Sequence, residues 1–282
     1  MAAIKGIDIS HHQNNPNFAK VKAAGIQFVL LKATEGVNYI DPNFKTNAAA
    51  AIAAGLPIGV YHFLRAGSVA DQVRDCLAAI KPYRITWPVA VDVEHAELAA
   101  LGKDKLTDMV LDFCARIKAA GYQPMVYSSR DWLYLSKRLD VARIKAAGIS
   151  IWMAWYSNAT PDNTDRRALC DMWQYASDGK VDGIIADGLD MNVSYQDFAP
   201  AAFKSDTTTD LTIKHGSYYQ LKVTVSGGKP PQVYAGTPDI VAILPRYVIG
   251  QDHYFYLCAV GAAGSGTGIF INGSKAFVVN VT

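Results

Sequence analysis

Val21-Lys22-Ala23-Ala24-Gly25 returns three times along the chain, as Ile52-Ala53-Ala54-Gly55, Ile117-Lys118-Ala119-Ala120-Gly121 and Ile144-Lys145-Ala146-Ala147-Gly148. Each copy closes an alanine-rich, helix-favouring stretch with a glycine, and a β-favouring run follows each one. Glycine just past a helix end takes the left-handed conformation that caps it. The repeated phrase therefore predicts a series of β-strands and α-helices in alternation. Helix starts are marked by Asn15 or Asn17 beside Pro16, by Asp41-Pro42 and by Ser68. The strand candidates are Lys5–Ile9, Gln27–Ala33, Ile58–Leu64, Pro88–Glu94, Pro124–Ser128, Ser150–Trp155, Met172–Tyr175 and Ile184–Asn192. Helices separate the first six. Residues 156–172 are polar and turn-rich, and Ser177–Gly183 is only a short loop. Such alternation implies an α/β fold with a parallel sheet covered on both faces. Eight strands in roughly 200 residues predict a closed, TIM-like barrel with an incomplete helical ring. No GxGxxG or GxxxxGK[ST] follows a strand, so a nucleotide site has no support.

After Phe198 the texture changes. Residues 199–210 contain APAA and DTTTD, which read as a linker. Short alternating strands follow at Tyr218–Val225, Ile240–Leu244, His253–Val260, Thr267–Ile271 and Ala276–Val281. They are punctuated by Gly227-Gly228, Pro230-Pro231, Gly250, Gly261–Gly268 and Asn272-Gly273. That pattern predicts a small all-β sandwich or barrel. All five tryptophans (Trp87, Trp132, Trp152, Trp155, Trp173) precede the boundary. The expected organisation is a barrel over residues 1–200, a linker over 201–210 and a β domain over 211–282.

Composition narrows the function classes. The 282 residues are 50% hydrophobic and 18% charged, as in a globular protein, and Lys plus Arg (27) nearly balances Asp plus Glu (25). There is no basic stripe of the kind that tracks phosphates, so nucleic acid is not an expected partner. No run approaches the roughly 20 apolar residues that span a bilayer, and membrane insertion is not expected. The opening MAAIKGIDIS has no signal-peptide core, which predicts synthesis in a cytoplasm. Cys76, Cys114, Cys170 and Cys258 form no CxxC pair and are expected as reduced, mostly buried thiols.

Functional side chains of a parallel barrel gather at the carboxyl ends of its strands. Here those ends carry Asp8, then Lys32 with Glu35, Tyr61 with His62, Asp92 with Glu94, Tyr127, Trp155, Gln174, and Asp190 with Asn192. Asp92 and Glu94 are the sharpest signal. Positions i and i+2 of a strand point the same way, so two carboxylates would face one cavity. Close, partly buried carboxylates raise one another's proton affinity, and one can stay protonated as a general acid. Glycosidic cleavage needs such an acid together with negative charge beneath an oxocarbenium-like centre. Metal binding is the rival use of clustered acids. However, His11-His12 lacks the HExxH spacing, and His62 and His95 lack partnered motifs, so neither a metal nor a cofactor is expected.

In chain order, the segments Gly6-Ile7-Asp8-Ile9-Ser10-His11-His12-Gln13, Lys32-Ala33-Thr34-Glu35-Gly36, Tyr39 with Asp41-Pro42, Gly59-Val60-Tyr61-His62-Phe63, Asp92-Val93-Glu94, Trp173-Gln174-Tyr175 and Asp190-Met191-Asn192 resemble glycoside hydrolase family 25. These are the Chalaropsis-type lysozymes, or N-acetylmuramidases, common among bacteriophage endolysins. The resemblance covers residues 4 to about 198. It implies a barrel of five βα units and three further strands that cleaves the β-1,4 bond from N-acetylmuramic acid to N-acetylglucosamine in bacterial peptidoglycan, with net retention. By motif, Glu94 is the acid, Asp92 its partner, and Asp8 and Asp190 the rest of an acidic floor. Tyr61, Tyr127, Trp155 and Gln174 are the implied sugar contacts, and Lys32, Glu35, His62 and Asn192 complete the substrate-binding set. Strand PVAVDVE departs from the aliphatic–leucine run of many relatives without changing a reactive group. A non-catalytic glycan binder and a chitinase-like glycosidase are the alternatives.

The tail resembles bacterial immunoglobulin-like modules through Leu221–Gly228 and Phe277–Val281. Its expected partner is a cell-wall polymer, with a spacer or an oligomerisation role as the alternative. Tyr218, Tyr219, Tyr234, Tyr247, Tyr254 and Tyr256 are candidates for a carbohydrate-stacking surface, although tyrosines also pack sandwiches. The oligomeric state stays open.

Overall fold

All four copies of the repeated phrase end helices in the same way. The helices are α1 (Phe18–Ala23), α2 (Phe44–Ala53), α3 (Val69–Ile80), α4 (Lys103–Ala119) and α5 (Val141–Ala146). Gly25, Gly55, Gly121 and Gly148 have φ of 90°, 70°, 87° and 70° just past α1, α2, α4 and α5. In each case the next residue's N–H reaches back five residues (Ile26 to Val21, Leu56 to Ala51, Tyr122 to Ile117, Ile149 to Ile144). This is the Schellman geometry, in which orphan carbonyls are satisfied and the chain is turned towards the next strand. Asn17 caps α1 and Ser68 caps α3 through their side chains.

The computed structural model describes residues 3–199, 203–226, 230–272 and 274–282. The Gly227-Gly228 and Gly273 turns and residues 200–202 of the expected linker lie outside these. Two compact units form, Met1–Phe198 and Ala199–Thr282. In the first, the strands are β1 (Ile4–Ile9), β2 (Phe28–Glu35), β3 (Tyr39–Ile40), β4 (Ile58–Phe63), β5 (Val89–Asp92), β6 (Pro124–Ser129), β7 (Ser150–Ala154), β8 (Met172–Gly179) and β9 (Leu189–Ser194). Their order is β1-β9-β8-β7-β6-β5-β4-β2-β3, and a β1–β2 pairing closes eight of them into a barrel. Pairing is parallel from β1 through β2 and β4 round to β8, whereas β9 runs antiparallel to both β8 and β1. The short β8–β9 connection accounts for this reversal, because a parallel return needs a crossover of a dozen or more residues. The last strand also begins later than expected: Ile184–Gly188 is loop, with Ile185 fully exposed.

Strand alternation separates two apolar layers. Ile7, Val29, Leu31, Val60, Val91, Val126, Ile151, Met153 and Trp173 face outward and pack with the helices. Phe28, Leu30, Ala90, Met125, Trp152 and Met172 fill the barrel, together with Trp87 and Phe198. Phe28 stacks on Trp87 at 3.9 Å between centroids. Gly6 makes that stack possible, since a Cβ there would lie 2.2 Å from the Phe28 ring. Gly6→Ala should therefore destabilise the barrel by about 1–3 kcal/mol, the usual cost of overpacking a filled core. A drop in the urea midpoint at unchanged slope checks this.

The second unit contains β10 (Phe203–Ser205), β11 (Leu211–Ile213), β12 (Tyr218–Val225), β13 (Val233–Ala235), β14 (Val241–Ile249), β15 (Asp252–Ala259), β16 (Gly266–Ile271) and β17 (Ser274–Val281). They form two four-stranded sheets, β10-β12-β15-β14 and β11-β17-β16-β13. Leu221, Val223, Phe255 and Leu257 of one sheet share a core with Ile269, Ile271, Phe277 and Val279 of the other. Part of the expected linker is corrected. Residues 203–205 pair with β12, and Asp206 Oδ1 accepts the Lys222 N–H at 3.1 Å, so this stretch belongs to the second unit. Cys76, Cys114 and Cys170 are buried free thiols, and Cys258 is a half-buried one.

Candidate active site

The inward phase of the strands collects the acids at one end of the barrel. Asp8 and Asp190 lie directly opposite one another on β1 and β9. Asp92 ends β5, with Glu94 two residues on. Asp8 and Asp92 are each 4% exposed, and Glu94 reaches solvent. Burial pushes the Asp8 carboxyl well above its ordinary range and Asp190 adds to that, while amide donors from Asn192 and Gln174 oppose it. Asp92 is likewise raised, first by burial and then by Glu94, with Lys32 pulling the other way. Its Oδ1 is buried without a protein hydrogen-bond partner, as suits a carboxyl that holds a proton. Glu94 is raised by the surrounding protein against the pull of Lys32. Asp190 is lifted to about 6 by burial and by Glu94. Four carboxyls that resist ionisation thus surround one cleft, and a single lysine moderates two of them.

Lys32 is held in place by the wall of the cleft. A register shift between Lys32 and Thr34 interrupts the β2–β4 ladder. Lys32 Nζ meets Glu35 Oε2 at 2.7 Å and lies 4.7 Å from the Phe63 ring centroid. Glu35 also takes Arg65 at 3.4 Å, and Arg65 Nε meets Glu97 at 2.9 Å. Glu35 is therefore occupied by two cations and acts on the site by fixing Lys32. Tyr61, Tyr127, Gln174 and Asn192 sit with the acids. Tyr127 Oη donates to Gln174 Oε1 at 2.8 Å, and both Gln174 and Asn192 donate to Asp8 Oδ2, at 2.8 and 2.7 Å. Burial, with Asp8 and Asp92 next in order, keeps the Tyr61 hydroxyl protonated.

Two expected substrate contacts are corrected. Trp155 faces the outer layer, because Trp152 and Ala154 point inward and Met153 and Trp155 alternate with them. The guanidinium carbons of Arg130 and Arg166 lie 3.8 and 3.5 Å from its ring centroid. Two such groups cannot share one face at those distances, so both faces are covered and none remains for a sugar. Tyr156 takes the inward position instead, its hydroxyl 2.6 Å from Gln174 Oε1. Continuing the inward alternation of Trp152 and Ala154 by one more step would have found it.

His62 is the second correction. It follows the inward Tyr61 and so points out, fully buried, with Nδ1 2.8 Å from Thr34 Oγ1, Nε2 3.0 Å from Gln72 Oε1, and its ring stacked on Phe113. Burial lowers its pKa to about 4. Between that value and the unfolded one near 6.5, the unfolded chain binds the extra proton, so this residue's contribution to stability falls as pH drops through the window. Wild type should lose about 2 kcal/mol more than His62→Gln between pH 7 and pH 5, read from urea midpoints.

The motif residues around the acids are largely scaffold. Ser10 and Gln13 cap the turn after β1 reciprocally, and Gln13 Nε2 donates to the Gly188 carbonyl at 2.8 Å. His11 Nδ1 meets the buried Asp41 Oδ2 at 2.8 Å, tying β1 to the start of α2.

A closed eight-stranded α/β barrel carries four acids at one mouth, and comparison with known proteins supplies the family. Residues 7–184 match the model of glycosyl hydrolases family 25. The chain is 31% identical over 196 residues to Lysozyme M1 of Streptomyces globisporus, covering 66% of each protein. It is 32% identical over 142 residues to the N,O-diacetylmuramidase of Chalaropsis sp., covering 46% of this chain and 67% of that one. A solved bacterial lysozyme from Streptomyces coelicolor superposes with a TM-score of 0.59 at 28% identity, over 70% of this chain and 94% of that one. The chain spans about two thirds of the length of these two curated relatives. It belongs to glycosyl hydrolases family 25 and is a glycoside hydrolase of the lysozyme class.

Proposed function

We propose that the barrel cleaves the β-1,4 bond between N-acetylmuramic acid and N-acetylglucosamine of bacterial peptidoglycan, as an endolysin acting on the wall after release from the cytoplasm. The observation that carries this reading is the pair Asp92 and Glu94 on one strand end, both raised above the ordinary carboxyl range, with Lys32 as the cation common to them. Glu94, in contact with solvent, protonates the leaving glycosidic oxygen as the C1–O bond breaks. The carbonyl oxygen of the substrate's 2-acetamido group bonds to C1 from the other face, and Asp92 steadies the positive ring that forms. Glu94 then takes a proton from the water that reopens the ring, which returns the sugar with net retention. Asp8 and Asp190 hold the floor of the cleft, and Tyr61, Tyr127, Tyr156 and Gln174 line it.

The second unit is read as an immunoglobulin-like sandwich that holds the enzyme to a wall polymer. Supporting this, Tyr218, Tyr247, Tyr254 and Tyr256 share the outer face of one sheet, in stacked pairs with centroids 4.3 and 4.5 Å apart, and Arg246 lies over Tyr256. Tyr219 and Tyr234 do not join them: Tyr219 packs against the core, and Tyr234 stacks on Phe270 in the other sheet. New reducing ends from purified walls, measured against chitin oligomers, test the main reading. Release from walls alone supports a muramidase. Release from chitin at equal or greater rate identifies a chitinase-like enzyme, and release from neither leaves a glycan binder.

A further inference from the structure

The hydrogen bonds that converge on Asp8 run in one direction. Trp152 Nε1 donates to Asn192 Oδ1 at 2.8 Å, and Asn192 Nδ2 donates to Asp8 Oδ2 at 2.7 Å. On the other side, the Tyr127 and Tyr156 hydroxyls donate to Gln174 Oε1, and Gln174 Nε2 donates to the same Asp8 oxygen at 2.8 Å. The oxygen and nitrogen of an amide are nearly isosteric, so partners decide which way it faces. At Asn192 the partner leaves one answer. An indole N–H only donates, and a flipped amide would set N–H against N–H at one end and oxygen against carboxylate oxygen at the other. Two amide donors then occupy the lone pairs of Asp8 Oδ2, and a proton on Asp8 belongs to Oδ1.

We propose that Trp152 is a positioning residue of the hydrolytic site: its indole N–H, acting through Asn192, commits Asp8 Oδ2 to the protein and leaves Oδ1 as the oxygen that exchanges protons and meets substrate. The inference rests on the family 25 hydrolase reading of the barrel. It also changes the place of Asn192, whose two amide ends are both spent on the protein, so that it reaches the substrate through Asp8. The groups facing Asp8 are Asp190 on β9, Asp92 on β5 with Glu94 beyond it, Tyr61 on β4, Tyr127 on β6 and Tyr156 after β7, and Lys32 on β2 is the cation of the cleft. In that acidic setting each N–H donor to Asp8 favours its charged form, and removing one raises its midpoint.

Trp152→Phe removes the N–H and keeps an aromatic ring beside Tyr61 and Tyr127. Asn192→Leu keeps nearly the volume and removes the donor to Asp8 without adding a charge. The full-length protein, labelled with 13C at aspartate carboxyls and with Asp8 assigned through Asp8→Asn, is titrated by NMR. Both variants should move the Asp8 midpoint up by about one pH unit or more. With wall fragments as substrate, kcat should fall about tenfold or more while KM stays within about threefold, the mark of a misplaced group and not of lost binding. A packing role alone would lower the melting temperature and leave the Asp8 midpoint where it is. An unmoved midpoint with unchanged kcat in the folded variants overturns the inference. If Trp152→Phe does not fold, Asn192→Leu decides both the midpoint and the rate. Wild-type protein that is inactive on walls while its Asp8 midpoint still responds would sink the muramidase reading and leave the clamp standing.

Discussion

Glu94→Gln should abolish turnover on peptidoglycan while leaving the melting curve and wall binding near those of wild type. The amide keeps the shape of the side chain and some of its hydrogen bonding, but it has no proton to give a leaving oxygen. Loss of a general acid costs about 10²–10⁴-fold in rate. Three features of the site put the effect at this residue. Glu94 is the most exposed carboxyl of the four, with Asp190 half-buried and Asp8 and Asp92 buried, so a bound glycan can touch it. Its proton affinity is raised by the protein around it against the pull of Lys32, the direction a general acid needs. It also stands two residues beyond the buried Asp92 on the same strand end, which places a second carboxyl behind it. The measurement is the rate of new reducing ends from purified walls. A variant that keeps more than about a tenth of wild-type activity would assign the acid to another carboxyl, with Asp190 the next to test. Activity lost together with a collapsed melting curve would mean that Glu94 serves the fold.

The difference between what the sequence made legible and what it hid follows from range. The helix ends were legible because a Schellman turn is local: one glycine with positive φ and one apolar residue after it suffice. The acids were legible because a carboxylate near the end of an apolar strand is out of place unless something uses it. Trp155 and His62 were misplaced for a reason equally local. Each sits one residue from an inward neighbour, Ala154 or Tyr61, and a shift of one residue exchanges the two faces of a strand. The phase was there to be read from Asp92 and Glu94, and applying it along Trp152, Ala154 and Tyr156 gives the observed lining.

Other features depend on partners far away in the chain. The bulge in β2 that interrupts its register with β4 leaves no local mark. Three-residue strand β10 lies in a passage whose composition says linker, and only its pairing with β12 makes it a strand. Nothing in the neighbourhood of Trp152 points to Asn192, forty residues on.

Removing the second unit should separate two activities that the full chain combines. Phe198 is the last residue of the barrel floor, buried beside Trp87, so residues 1–198 retain every strand of the closed sheet and its interior packing. Such a chain should fold and should cleave soluble wall fragments at close to the full-length rate. On intact cells it should lose most of its activity, because a tethered enzyme works at an effective concentration that a free one does not reach, and avidity of this kind is worth about 10²–10⁴-fold. Tyr254→Ala with Tyr256→Ala in the full-length protein should reproduce the loss on cells without touching the rate on soluble fragments, since these side chains stand on the outer face of β15 while Phe255 and Leu257 keep the core. Pull-down of the isolated second unit with cell walls completes the comparison. The rival is self-association, for β14 is a sheet edge with Leu244, Tyr247, Val248 and Ile249 exposed along it, and such an edge can pair between copies. Sedimentation distinguishes the two: a monomeric full-length chain whose second unit binds walls supports tethering. An oligomeric full-length chain, a monomeric truncated one and no wall binding by the second unit would make assembly its task.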